Sequence, residues 1–217
     1  MADVRTMGCF PTLIHDFTLD LDNDKMLDYV YEMNIRSPSP LTPIPTSSDV
    51  KSGFSTDQQD LHKLLIFKPL VDELTKIHEF ILRNLEYEYD KVEITNMWAN
   101  HLYGGDSHAP HTHSNNFLSG VYYLLAGKNE ETNQETAPIQ FFDPRPQANV
   151  LRPRTSKPNQ NNASMLSFNS ENGIGLIFPS WLQHWVPPTP LERISVSWNV
   201  LVRGHYGEPK TLQNAYI

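Results

Sequence analysis

His108-Ala109-Pro110-His111-Thr112-His113, followed from Phe117 by the apolar run FLSGVYYLLA, is the stretch of this 217-residue chain that decides its fold. Three of the nine histidines crowd into six positions there, after a Gly104-Gly105-Asp106 turn and before a run whose aromatic and branched residues read as a strand. Residues two apart on extended backbone project from one face, so His111 and His113 can aim at a common centre while Thr112 faces away. That is a metal-ligand spacing. A polar loop whose imidazoles only hydrogen-bond produces the same pattern, and more often, so the pair needs a distant partner. His108 reads as a solvated loop imidazole, with reach to a substrate or to the groups around the metal ligands as its other reading, and His15, His62, His78, His101 and His205 lack partnered spacing.

The distant partner is His184 in FPSWLQHWVPP, which the apolar strand IGLIFP delivers to a sheet edge. Three imidazoles can then close one face of a metal ion. Trp98, Phe178, Trp181 and Trp185 are candidates for a water-excluding wall, with core packing as their plainer role. Beyond His184, the run RISVSWNV places Arg193, Ser195 and Ser197 on one strand face. A buried guanidinium wants an anion, which is either a structural carboxylate or the far carboxylate of a bound dicarboxylate held through paired hydrogen bonds with help from Ser195.

Working outward, the second half of the chain is a series of short β runs: VEITNMWANHLY, FLSGVYYLLA, PIQFFD, MLSF, IGLIFP and ISVSWNVLV. Polar insertions at Gly127 to Ala137 and Arg145 to Ala163 read as loops that edge a site. The first 90 residues differ. FPTLIHDF, from Phe10 to Phe17, reads as a strand; Asp22 then caps a helix carrying Met26, Leu27, Val30 and Met33. SPSPLTPIP, with four prolines between Ser37 and Pro45, reads as an extended exposed loop. A second helical region begins at Asp57 and runs past Pro69, with Leu70, Leu74, Ile77, Phe80, Ile81 and Leu85 on its buried face. No composition break divides these parts, so residues 1–217 are expected to form one domain: 1–90 as helical support, 91–203 as the β core and 204–217 as a tail.

Composition narrows the function classes. A formal charge of -8 offers no basic field for nucleic acid or an anionic membrane surface. The lone Cys9, expected to be a small buried hydrophobe, allows neither an internal disulfide nor a cysteine-based zinc site. With no apolar run of membrane-spanning length, a cytoplasmic location is expected.

Taken together, His111-x-His113, SGVYYL, FFDP, FPSWLQH and RIS resemble the 2-oxoglutarate/Fe(II)-dependent oxygenases within the prolyl-hydroxylase-like superfamily, over roughly residues 91 to 203. FPTLIHDF and the GFST segment are similar to the amino-terminal part of the same family. The resemblance implies a mainly β fold with flanking helices: a double-stranded β-helix, that is, a jelly-roll or cupin-like core with iron at its open end. It implies Fe(II) and 2-oxoglutarate as cofactor and co-substrate, with ascorbate as a possible reductant. It carries His111 over as first iron ligand, His184 as distal ligand, Arg193 as partner of the 2-oxoglutarate C5 carboxylate and Ser195 as the adjoining hydroxyl. Tyr123 matches a tyrosine that hydrogen-bonds 2-oxoglutarate, with Tyr122 as the other candidate.

One departure from the usual pattern concerns the iron triad, which has Asp or Glu two positions after the first histidine, where this chain has His113. Three readings stay open: His113 is a third neutral ligand, which is preferred; His113 swings away; or Asp143 or Asp106 supplies a carboxylate. The expected activity is hydroxylation of an unactivated C–H bond in a peptide, protein or amino acid, prolyl side chains included, by an enzyme that can be a homodimer. The alternatives are a non-catalytic cupin-like binding module and a three-histidine metal enzyme that does not use 2-oxoglutarate.

Overall fold

A computed structural model describes residues 2–36, 54–55, 59–145, 147 and 150–217. In chain order the strands are β1 (His15–Thr18), β2 (Phe54–Ser55), β3 (Lys91–Leu102), β4 (His108–His111), β5 (Leu118–Leu125), β6 (Lys128–Asn129), β7 (Gln134–Glu135), β8 (Ile139–Phe142), β9 (Met165–Phe168), β10 (Ile174–Pro179), β11 (His184–Val186), β12 (Arg193–Arg203), β13 (His205–Tyr206) and β14 (Ala215–Tyr216). The helices are α1 (Asp24–Arg36) and α2 (Lys68–Asn84), the latter preceded by two 3₁₀ turns at Leu61–Lys63 and Leu65–Phe67. Among these residues no helix is long and apolar enough to cross a membrane.

Two antiparallel sheets form the core. The larger runs β1-β10-β5-β12-β3-β2 and the smaller β4-β11-β8-β9. This is the double-stranded β-helix. Its two layers follow from the alternation of side chains along the central strands. On β12, Ile194, Val196 and Trp198 point outward into a cluster with Met26 and Val30 of α1 and Leu70, Leu74 and Ile81 of α2. On β5 and β10, Val121, Tyr123, Leu176 and Phe178 point inward and meet Ile139 and Phe141 of the smaller sheet. One face of the large sheet is therefore sealed by helices, and the other is the barrel interior where Arg193 and Ser195 lie.

The glycine of SGVYY has a packing reason. Trp198 lies over Gly120, its strand partner, and a Cβ built there would stand 2.2 Å from the indole. The Trp198 indole N–H donates to Nε2 of His78 at 3.1 Å. Burial pushes the His78 imidazole down to about 4, so it stays neutral within the core.

Several expectations are corrected by the packing. β1 covers only His15–Thr18, and Phe10 is 99% exposed with a positive φ; Pro11 has no amide to donate, and pairing with β10 starts at His15. Cys9 is exposed, since it lies on the segment before that pairing begins. Leu61–Lys63 and Leu65–Phe67 are 3₁₀ turns rather than parts of a continuous α-helix, and the expected start at Asp57 lies outside the described residues. On α2 the buried face is Leu70, Leu74, His78, Ile81 and Leu82, and Phe80 is 63% exposed: the four-residue spacing from Leu74 selects His78 despite its polarity. The polar insertion after Gly127 holds the β6–β7 hairpin, and the tail closes on itself as β13–β14. His184 is carried by its own strand, β11, after a turn at residues 180–183, and not by β10. The expectation of an exposed loop at Ser37 to Pro45 lies outside the described residues. Asp22 accepts the Asp24 amide at 3.1 Å at the start of α1, as its sequence position suggests.

Gly120→Ala is expected to lower stability by about 1–3 kcal/mol in urea unfolding, because the indole must move. Because the His78 imidazole is neutral in the fold and binds a proton more readily once unfolded, stability is full above about pH 6.5 and declines as pH falls towards 4. That group contributes about 3 kcal/mol of the loss. His78→Gln, which can still accept from Trp198, is expected to show a shallower decline in unfolding experiments run across this pH range.

Candidate metal centre

The site begins with a strand register. β11 pairs with β4 so that His184 stands directly opposite His111, and with β8 so that His184 also faces Phe141. Cross-strand partners share a face, and this places the His111 and His184 rings 4.3 Å apart, centre to centre. The chain then leaves β4, and His113 is tied in when its amide donates to the Ser180 carbonyl at 2.9 Å. Its ring lies 5.2 Å from both His111 and His184. One nitrogen from each of the three imidazoles falls within 4.8 Å of the others, the arrangement one metal ion requires.

Hydrogen bonds orient the rings for that purpose. Nδ1 of His111 lies 2.7 Å from the Ala109 carbonyl, and Nδ1 of His184 lies 2.9 Å from the Leu182 carbonyl. A carbonyl oxygen can only accept, so Nδ1 carries the proton in both rings and Nε2 offers its lone pair. His113 is in side-chain hydrogen-bond contact with Asn199, whose Oδ1 accepts from Ser119 at 2.7 Å; Ser119 in turn meets Ser180 at 2.8 Å. Ser119, Ser180 and Asn199 are all buried. Nothing in the sequence reading pointed to this network; the signal was the alternation along β12, which puts Asn199 on the same face as Arg193 and Ser195.

Burial, then the neighbouring His111, pushes the His184 imidazole down to about 3. The same two causes in the same order push His113 down to about 4, against a raising contribution from Asn199. Burial also lowers His111, opposed by its bond to Ala109. All three rings are thus neutral at physiological pH, the form in which imidazole binds a metal.

The wall around the rings differs from the expected set. Trp98 stacks on His113 with ring centres 5.7 Å apart, and Phe178 and Phe141 lie 4.8 and 5.7 Å from His184. Phe141 was not anticipated. Trp181 is 57% exposed, and Trp185, adjacent to His184 on β11, points to the opposite face, where its indole N–H donates to Gln140 at 2.8 Å.

Across the interior, Arg193 is 1% exposed. Its guanidinium donates to Ser195 Oγ at 3.2 Å and Ser170 Oγ at 3.4 Å, and stands 4.8 Å over the Tyr123 ring. No carboxylate pairs with it among the described residues. The Tyr123 hydroxyl is buried without a hydrogen-bond partner. A buried cation beside an unpartnered hydroxyl is chemistry suited to an anion with hydrogen-bond acceptors. Tyr122, the residue before it, points to the helical layer, where its hydroxyl donates to Asn23 Oδ1 at 3.3 Å.

The two carboxylates considered as alternative ligands are engaged elsewhere. Asp143 holds Arg145 through both oxygens at 3.0 Å, and Asp106 accepts the Tyr103 amide at 3.1 Å within the turn that precedes β4. His108 departs from its expected place: it is a half-buried residue of β4 and not a solvated loop imidazole. An open cavity of about 680 Å³ is lined by Phe142, Asp143, Pro144, Ser164, Met165, Trp181 and Gln183, and by none of the three histidines.

Residues 96–199 match the family model described as "Putative 2OG-Fe(II) oxygenase". Comparison with curated proteins finds no match to the chain. Among solved structures, it is similar to a prolyl-4-hydroxylase from Pseudomonas putida at 13% identity and a TM-score of 0.56, covering 87% of this chain and 92% of that one. The non-heme alpha-ketoglutarate-dependent epimerase SnoN of nogalamycin biosynthesis aligns at 11% identity and a TM-score of 0.61, covering 93% and 83%. A Trichoplax adhaerens prolyl hydroxylase, in complex with a hypoxia inducible factor oxygen degradation domain peptide fragment, aligns at 10% identity and 0.55, covering 86% and 82%. At these identities the likeness establishes the double-stranded β-helix.

Titration with Mn(II) or Co(II) is expected to give one tight site per chain, and His184→Ala is expected to weaken it by about 100-fold or more, since a ligand loss exceeds the 10–100-fold typical of outer partners. Isothermal calorimetry reads both.

Proposed function

We propose that this chain is a 2OG-Fe(II) oxygenase in which His111, His113 and His184 hold iron(II) while Arg193, Ser195 and Tyr123 anchor the far carboxylate of 2-oxoglutarate. The observation that carries this reading is the Arg193 guanidinium, buried in the barrel interior and unmatched by any carboxylate among the described residues. A structural arginine would have such a partner. A three-histidine enzyme working without 2-oxoglutarate would have no use for that positive charge.

When bound, iron(II) with 2-oxoglutarate and oxygen supplies the oxidation of an unactivated C–H bond, with succinate and carbon dioxide as the co-substrate's products. The protein's part is geometry and environment. The Ala109 and Leu182 carbonyls keep two Nε2 lone pairs aimed at the ion, and Asn199 steadies the third ring. Three neutral ligands leave the dication to be balanced by the dianionic co-substrate, whose far carboxylate also meets the Arg193 cation. Trp98, Phe141 and Phe178 exclude water, which strengthens the attraction between Arg193 and a carboxylate.

For the primary substrate, the reading extends to a peptide or amino-acid side chain, prolyl residues among them. Its support is the likeness in fold to a prolyl-4-hydroxylase from Pseudomonas putida and to a Trichoplax adhaerens prolyl hydroxylase in complex with a peptide fragment. Ascorbate is the proposed reductant that returns iron to the ferrous state after uncoupled turnover.

Purified protein supplied with Fe(II), 2-oxoglutarate and proline-containing peptides is expected to form succinate in an iron-dependent manner. Arg193→Ala is expected to raise the KM for 2-oxoglutarate at least roughly thirtyfold, and Arg193→Lys to recover little because an ammonium cannot make the paired contact. Succinate formation indifferent to Arg193 sinks the anchor, and absence of any iron-dependent succinate, coupled or uncoupled, sinks the site assignment.

A further inference from the structure

His108 and His111 are three residues apart, and on a regular strand such a pair faces opposite ways. The β4–β11 ladder changes that. His184 pairs with His111 and Val186 pairs with His108, with a register irregularity between the two pairs. His184 and Val186 share the inner face, both being buried there, so their partners share it as well. The extra residue is absorbed, and His108 is turned into the barrel beside His111, with their ring centres 6.4 Å apart.

Arg193, His111 and His184 all lie close enough to the His108 ring for their charges to act on it. Its side chain makes no hydrogen bond among the described residues. A half-buried imidazole with both nitrogens unused, set between a metal-ligand cluster and a buried guanidinium, lines the path that a molecule bridging those two ends must occupy.

Resting on the reading of that path as the 2-oxoglutarate site, we propose that His108 is a further recognition residue for the co-substrate, donating a ring N–H to the bound dicarboxylate from the β4 side. It complements Arg193, which grips from β12, so that the molecule is held from both sheets. An imidazole N–H meeting a carboxylate is a charge-assisted hydrogen bond, whose loss typically weakens binding by about tenfold or more.

Calorimetric titration of 2-oxoglutarate into Mn(II)-loaded protein tests this without turnover. His108→Phe, or His108→Ala if the larger ring disturbs the sheet, is expected to bind 2-oxoglutarate about tenfold or more weakly, with its Mn(II) affinity within about twofold of wild type; His108→Gln, which keeps a donor, is expected to recover most of the loss. Unchanged 2-oxoglutarate affinity in the Phe and Ala variants overturns the proposal. So does a parallel loss of Mn(II) affinity, which would mean that His108 acts by positioning His111. Wild-type protein that takes Mn(II) but not 2-oxoglutarate overturns the oxygenase-site assignment itself and His108's role with it, an outcome distinct from either variant result.

Discussion

The short antiparallel pairing of β4 with β11 is the contact on which the site depends. It sets His111 opposite His184, and through the same strands it brings Phe141 and the Ser180 carbonyl to the positions that hold His184 and His113. Few residues make the pairing, but its register is pinned from both sides: β8 fixes β11 from its other edge, and inward side chains of the smaller sheet pack against the larger. A slip of one residue would send His184 to the face now occupied by Trp185 and dismantle the cluster.

The same period-two rule divides labour on the large sheet. Outward residues of β12 and β5 carry apolar bulk for the helices, with Trp198 fitted over Gly120. Inward residues carry chemistry: Arg193, Ser195 and Asn199 on β12, Tyr123 and Ser119 on β5. Polar side chains inside satisfy one another, as Ser180, Ser119 and Asn199 do and as Arg193 does with Ser195 and Ser170, while the Tyr123 hydroxyl is buried without a hydrogen-bond partner. The helical layer therefore provides most of the cohesion, and the interior is left free to be a site.

Where the sequence reading erred, a local rule was overridden by a non-local one. Phe80 is more apolar than His78, yet helical spacing from Leu74 buries the histidine, which then finds the Trp198 indole. Trp181 and Trp185 flank the active strand in sequence but face solvent or the far side of the sheet, while Phe141, remote in the chain, supplies the wall. His108, read as a loop residue, lies on β4, and the irregular ladder sets it on the same face as His111 despite their three-residue separation.

The amino-acid pattern by itself determined the β-rich core, the helices that back it, and the residue types able to bind a metal and an anion, because apolar periodicity and donor chemistry are written locally in VEITNMWANHLY, HAPHTH and RISVSWNV. Tertiary structure alone decided which donors meet. Ring tautomers depend on the Ala109 and Leu182 carbonyls, the seat of His113 depends on Asn199, and Asp143 is engaged with Arg145. These are contacts set by strand register and backbone irregularity, and no spacing along the chain encodes them.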